Sequence, residues 1–392
     1  MIARISTLGL LLLTASLQAQ EGCTGRPASP VLTVELPGHP FGIAETADGC
    51  SIFVSMAPGS GKGSGIAVLR RQAGRVELAR VVNLQSLGIV LSHDGKLLIA
   101  TGDDRVSFLD VERLISGRAD PTLGWFSDGP RRQSIWANVT SDDRLLFVSE
   151  ESAAEITVID LRRARASGFH ADAIIGKIPT GHAPIALVFS PDEKWLFSTS
   201  QVAMKEWNWP AACKPEGRPN VTEAVNAEGA VLVIDVAKAA TDPSNAVAKR
   251  VPAGCSPVRL ARSPSGDRIY VTARNSNAVI AFETAKLLAD PEHARLGMAK
   301  VGTAPVPVAV LDGGKTVVAG NSNRFGGANA NESLTLLDAS KFGQTGDAEI
   351  GMIPAGAFPR DLRLSADGST LYLANFGSSS LQVMDVARLR SK

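Results

Sequence analysis

The chain has 392 residues, with 40 Lys and Arg against 39 Asp and Glu, so its net charge is close to zero. So even a balance argues against a nucleic-acid-binding surface or a polybasic membrane anchor. Its 37 glycines, 22 prolines and 5% aromatic content suit many short strands joined by turns.

Residues 1–19 read as a secretory signal peptide. Arg4 supplies the charged start, and Leu8 to Leu17 is an apolar stretch too short to span a bilayer. Ala15, Ser16 and Ala19 precede an abrupt polar step at Gln20-Glu21, which predicts cleavage after Ala19. A lipoprotein cleaved before Cys23 is disfavoured by its Gln20-Glu21-Gly22 context. The expected destination is periplasmic or extracellular. No later segment is long and apolar enough to insert in a membrane. Residues 20–29 form an N-terminal segment, and 30–389 are expected to be one domain.

That domain is built from a repeat found seven times. In chain order its turn-and-strand core reads TADGCSIFVS from Thr46, LSHDGKLLIAT from Leu91, TSDDRLLFVS from Thr140 and SPDEKWLFST from Ser190. SPSGDRIYVT from Ser263, LDGGKTVVAG from Leu311 and LSADGSTLYLAN from Leu364 complete the set. Asp-Gly between apolar runs is a hairpin signal, because glycine accepts positive φ.

A second strand follows each core, as in EITVIDLRRA from Glu155 and AVLVIDVAKA from Ala230. Five of these strands end on an aspartate: Asp110, Asp160, Asp235, Asp338 and Asp385. Acids recurring at one repeat position are expected to accept backbone N–H bonds in the next turn, not to catalyse. Before each core stands a short strand and a kink, as in Gly181-His182-Ala183-Pro184, Gly254-Cys255-Ser256-Pro257 and Gly356-Ala357-Phe358-Pro359. Gly38-His39-Pro40 is a contracted copy, and the second and third units lack the Gly-Pro form.

This order of strand, Gly-x-x-Pro, strand, Ser-Pro-Asp-Gly, strand, loop and Val-x-Val-Ile-Asp resembles the YVTN-type β-propeller repeat. That repeat is shared with the seven-bladed lactonase-like and WD40-like superfamily, and the likeness covers essentially the whole mature chain. It implies an all-β, seven-bladed propeller of four-stranded antiparallel blades around a central channel. The last unit supplies three strands only, and Val31 to Leu36 has no unit before it. Residues 31–36 are therefore expected to pair near 381–386 as the outer strand of the last blade.

Chain direction puts the kinks on one face and the Asp-Gly turns on the other. The kink face also carries the long insertions, Met56 to Ser64, Val202 to Glu228 and Asn321 to Asn331. A binding site near that mouth of the channel is the expectation. Candidate ligand-binding residues are His39 and His182 in kinks, and Trp207 and Trp209 in the longest insertion. Arg259, Arg360 and Asp361 join them at the start of innermost strands, where arginine could grip an anion. The tryptophans read either as a stacking platform or as anchors buried against blade 4 or 5. Asp103-Asp104 and Glu150-Glu151 could together offer oxygen ligands to calcium, but solvated loops account for them more simply. The Pro58–Ser64 stretch fails the phosphate-loop pattern, having Met56 and Gly63 at two defining positions.

Cys23, Cys50, Cys213 and Cys255 are an even set in an exported chain, so disulfides are expected. Cys23 and Cys50 belong to the turn face, Cys213 and Cys255 to the loop face. Pairing within faces, Cys23–Cys50 and Cys213–Cys255, avoids spanning a blade thicker than the ~5.5–6 Å Cα separation of a disulfide. No cofactor, metal set or catalytic motif is written in the sequence. The reading is a monomeric, non-enzymatic binding or interaction scaffold for an unidentified protein or small molecule. Its alternatives are a lactonase-like hydrolase, which the resemblance alone implies, and a redox-system accessory.

Overall fold

The computed structural model describes residues 23, 26–27, 29–59, 63–218, 220–324, 332–344 and 347–389. The leader predicted over residues 1–19 lies outside them, as do residues 60–62 and 325–331 of two insertions.

Local chemistry explains the repeat. In six turns a Ser or Thr hydroxyl donates to an Asp carboxylate, as in Thr46 to Asp48 at 2.6 Å and Ser190 to Asp192 at 2.7 Å. In five of them the carboxylate also accepts the N–H two residues on, closing an Asx turn between the first and second strands. The strand-ending aspartates cap helical turns: Asp110 accepts from Arg113 N–H at 2.8 Å, and Asp160 from Arg163 N–H at 2.9 Å. Asp235, Asp338 and Asp385 do the same, so all five carry the structural role expected of them.

These units build seven four-stranded antiparallel sheets. Blade 1 runs from inner to outer strand as His39–Glu45, Ser51–Ala57, Gly65–Gln72 and Arg75–Val82. Blades 2 to 6 repeat that order and begin at Ile89, Ser134, His182, Pro257 and Pro305. Blade 7 comprises Pro359–Leu364, Thr370–Asn375 and Ser380–Asp385, with Val31–Glu35 as its outer strand. Val31 faces Met384 and Glu35 faces Ser380, so the two chain ends close the ring as expected. The core lies between blades: Val231 and Val233 of blade 4, for example, pack with Val271 and Ile280 of blade 5.

The closing seam also holds a buried polar network. Tyr372 of blade 7 donates to Glu45 of blade 1 at 2.6 Å. Arg71 of blade 1 donates to the Tyr372 oxygen at 3.1 Å and to Thr370 Oγ1 at 2.8 Å. Burial beside the Glu45 carboxylate raises the Tyr372 phenol above its ordinary value, so it stays a donor.

Both disulfides pair as expected. Cys23–Cys50 ties the segment before the closing strand to the blade 1 turn, with Cα atoms 4.9 Å apart. Cys213–Cys255 ties the blade 4 insertion to the blade 5 kink, with Cα atoms 5.5 Å apart.

Leu36 ends the closing segment, 4% exposed, against Ile52, Val54, Tyr372 and Leu381. Leu36→Ala should therefore cost ~2–5 kcal/mol, read from urea unfolding midpoints. A change below about 0.5 kcal/mol would show that closure does not depend on this packing.

Candidate functional site

The channel is organised in layers, set by bulges in the inner strands of every blade but the second. Register shifts fall between Pro40 and Ile43, Pro184 and Leu187, Pro257 and Leu260, and Pro305 and Val308. Hydroxyls from the second strands hold the bulges and link neighbouring blades. Thr199 Oγ1 accepts from Ala186 N–H at 3.1 Å and donates to Val258 O of blade 5 at 2.9 Å. Thr272 Oγ1 accepts from Arg259 N–H at 3.2 Å and donates to Val306 O of blade 6 at 2.8 Å. Ser55 makes the same bridge from blade 1 to Leu87 of blade 2. Blade 6 departs for a steric reason. Pro307 has no N–H to satisfy, and opposite it a Cβ on Gly320 would lie 2.6 Å from Pro307 Cγ. In blade 7 the Asp361 carboxylate takes over, accepting Ile43 N–H of blade 1 at 3.0 Å.

The first bulge residues plug the channel. Phe41, Ile135, Ile185, Val258 and Val306 are buried together, flanked by Leu87, Trp136, Phe358 and Phe376. Arg360 is the blade 7 counterpart, its guanidinium 4.3 Å from the Phe41 ring centre and 5.7 Å from that of Phe358. Burial, with Arg259 nearby, lowers its pKa to about 9.

On the loop side, the ends of second strands form a polar arc across blades 3, 4 and 5. Gln201 Nε2 donates to Glu151 Oε1 at 3.3 Å, and Arg274 Nη2 donates to Gln201 Oε1 at 2.7 Å. Arg274 also grips Glu216 of the blade 4 insertion through Nε at 2.6 Å and Nη2 at 2.5 Å. Arg324 of the blade 6 loop adds a cation that interacts with Arg274, Glu216 and Glu151. Sequence reading missed Gln201, Arg274 and Glu216. The available signal was the residue following the kink's strand partner, which is polar in blades 3 to 5 but Ala57 in blade 1 and Phe376 in blade 7.

On the turn side of the plug, the second bulge residues bring Trp136, Arg259 and Asp361 together. Arg259 lies 3.6 Å from the Trp136 ring centre and is 5% exposed. None of its three guanidinium nitrogens finds a hydrogen-bond acceptor among the described residues. Burial lowers its pKa to about 10 and raises that of Asp361 to about 6, each opposed by the other's charge.

The remaining candidates do not converge with these. His39 stacks on Phe376 at 4.8 Å, with Nδ1 2.8 Å from Phe376 O, at the loop-side rim. His182 is exposed at the start of the blade 4 inner strand, facing Val202. Trp207 and Trp209 are half-buried, meet each other edge to face and pack on the seam of blades 3 and 4. The acids weighed for calcium also separate. Asp104 accepts from Arg131 and Arg132 N–H at 2.8 and 2.6 Å, while Glu150 is buried with Asp128. Among the described residues no three His, Cys, Asp or Glu side chains are grouped to hold a metal.

The Asp128–Glu150 pair is the strongest electrostatic feature near the arc. Ser134 Oγ lies 2.9 Å from Asp128 Oδ2 and 3.0 Å from Glu150 Oε2, yet has one proton to donate. A protonated Glu150 resolves this by donating to Ser134, which in turn donates to Asp128. Burial and the Asp128 charge push the Glu150 carboxyl to about 9, in keeping with that arrangement.

No family model matches the chain, and no curated protein matches its sequence. Solved structures share its fold. A chain of Kuenenia stuttgartiensis hydrazine synthase is 19% identical, covering 91% of this chain and 97% of its own, with a TM-score of 0.64. A chain of a mitotic checkpoint complex is 14% identical, covering 91% and 94%, with a TM-score of 0.65. A proposed 6-phosphogluconolactonase of Bacteroides uniformis is 17% identical, covering 85% and 91%, with a TM-score of 0.62. So varied a set carries the architecture and no one activity.

Glu150 yields a pH prediction. The folded protein retains a proton that unfolded Glu150 releases near 4.5, so stability falls as pH rises from there toward about 9. Glu150→Gln should flatten that decline in urea midpoints taken between pH 5 and 9. An unchanged slope would mean that Glu150 is ionised in the folded protein.

Proposed function

We propose that this is an exported propeller acting on a small ester-bearing ligand at the loop-side mouth, as a lactonase-type hydrolase. The observation that carries the reading is the arc in which one Glu151 oxygen is held by Gln201, with Arg274 and Arg324 beside it. A half-buried carboxylate flanked by guanidinium groups suits lactone opening. Glu151 would take a proton from water as the water oxygen attacks the carbonyl carbon. The arginines would stabilise the oxyanion. The ring C–O bond then breaks, its oxygen takes the proton, and a hydroxy-carboxylate leaves. The likeness to the proposed 6-phosphogluconolactonase supports testing this reaction first. Export is supported by the leader-like start and by two disulfides. Among the described residues no helix is long and apolar enough to cross a membrane.

A second reading, a non-catalytic partner-binding scaffold, is favoured by one observation. The blade 4 insertion is held to blade 5 by the Cys213–Cys255 bond while Val225 is left 56% exposed on it.

The purified protein should open at least one member of a panel of γ-, δ- and phosphorylated sugar lactones, followed by acid release. Glu151→Gln should lower kcat by about 10²–10⁴-fold. Absence of turnover across the panel, or full activity in Glu151→Gln, would overturn the hydrolase and leave the scaffold.

A further inference from the structure

The plug divides the channel, and a cavity lies on the side away from the long loops. From the Trp136–Arg259–Asp361 layer a cavity of about 630 Å³ runs to the tight turns at His93, Pro191, Glu193 and Pro264. Its size falls within the range of small-molecule sites. Its wall mixes polar and apolar surface, with Ile89, Leu187, Leu260, Val308 and Leu362 among the lining residues.

The charges along it are asymmetric in what they are free to do. Glu193 is engaged by Ser141, whose N–H and hydroxyl both donate to it at 2.9 Å. Glu45 is held by Tyr372 and by Ala366 N–H. Asp361 accepts from Ile43 N–H. Near the mouth, Arg262 is turned onto the carbonyls of Ser263 and Pro264. Arg259, at the inner end, has five N–H donors and no acceptor among the described residues. A buried guanidinium with its donors unmatched is costly, and the Trp136 ring covers only one face of it. A planar oxyanion at its edge would satisfy two donors at once.

We infer that the channel is a second binding site, for a small amphipathic anion that enters from the tight-turn face and seats its carboxylate or phosphate on Arg259. The apolar body of the ligand would lie along the aliphatic stretches of the wall. This site is separate from the loop-side arc, because the apolar ring of Phe41, Ile135, Ile185, Val258 and Val306 stands between them.

The test uses benzoate, hexanoate and phenyl phosphate, with benzamide and hexanol as uncharged controls. Binding to the intact protein is followed by calorimetry and by Trp136 fluorescence, using Trp136→Phe to identify that signal. The anions should bind about tenfold or more tightly than the controls. Arg259→Met should abolish that preference, read on protein shown by circular dichroism to be folded, since Asp361 loses a buried counter-charge. Ala261→Trp, which narrows the cavity from the turn side, should abolish binding with Arg259 intact. No preference for the anions, retained preference in Arg259→Met, or unimpeded binding in Ala261→Trp would each overturn the proposal. Lactone turnover does not enter these measurements, so the hydrolase and the channel site stand or fall separately.

Discussion

The backbone ladder between Val31–Glu35 and Ser380–Met384 joins opposite ends of the chain, and the rest of the molecule is built on it. A blade is a small sheet with two apolar faces, and neither face is covered until the next blade packs against it. Blades 2 to 6 find both neighbours along the chain. Blade 7 must find its second neighbour in blade 1, across a seam that local sequence does not hold together. Four contacts of different kinds converge there: the ladder, Leu36 in the apolar seam, the Tyr372–Glu45–Arg71 network, and Asp361 on Ile43 N–H. Cys23–Cys50 adds a covalent tie beside them. Closure enforced in this way keeps seven inner strands at one radius, which makes a channel with defined layers.

Within that ring, the hydroxyl bridges decide which side chains meet. By linking each bulge to the next blade's carbonyl, Ser55, Thr199 and Thr272 fix consecutive inner residues at two levels. The first level is apolar and seals the channel. The second gathers Trp136, Arg259 and Asp361 from three non-adjacent blades. The repeat is thereby a device for bringing chemistry together from distant sequence. Its irregular members, Pro307 opposite Gly320 and Asp361 in place of a hydroxyl bridge, preserve the geometry by other means.

Much of this was legible in the sequence because it depends on local chemistry or on chain direction. Asp-Gly turns, capping aspartates and the unmatched first strand each carry their own signal, and face assignment alone separated the correct disulfide pairing from its alternatives. Side-chain convergence was less legible. Arg259, Arg360 and Asp361 could be assigned to inner strands, but a bulge decides which faces the plug and which the cavity. A bulge comes from pairing with the second strand, not from the inner strand's own residues. Gln201 and Arg274, and their meeting with Glu151, were hidden for another reason. Each stands at a repeat position that is ordinary alone, and only the ring makes the three neighbours.

Placement also explains why two neighbouring glutamates have such different prospects. Glu150 points into the blade, where burial and Asp128 keep it protonated and where its work is to complete a hydrogen-bond chain. Glu151, one residue on, has its side chain on the opposite side of the strand end and reaches Gln201 at the mouth. Alternation along a strand turns an acidic pair into one structural and one accessible carboxylate. The same alternation separates Arg360, sandwiched near Phe41 in the plug, from Asp361 in the layer beneath it. The loop-side mouth thus draws its carboxylate from a strand end whose neighbour is committed to the fold. Chemistry at Glu151 can therefore change by substitution without loosening the ring that presents it.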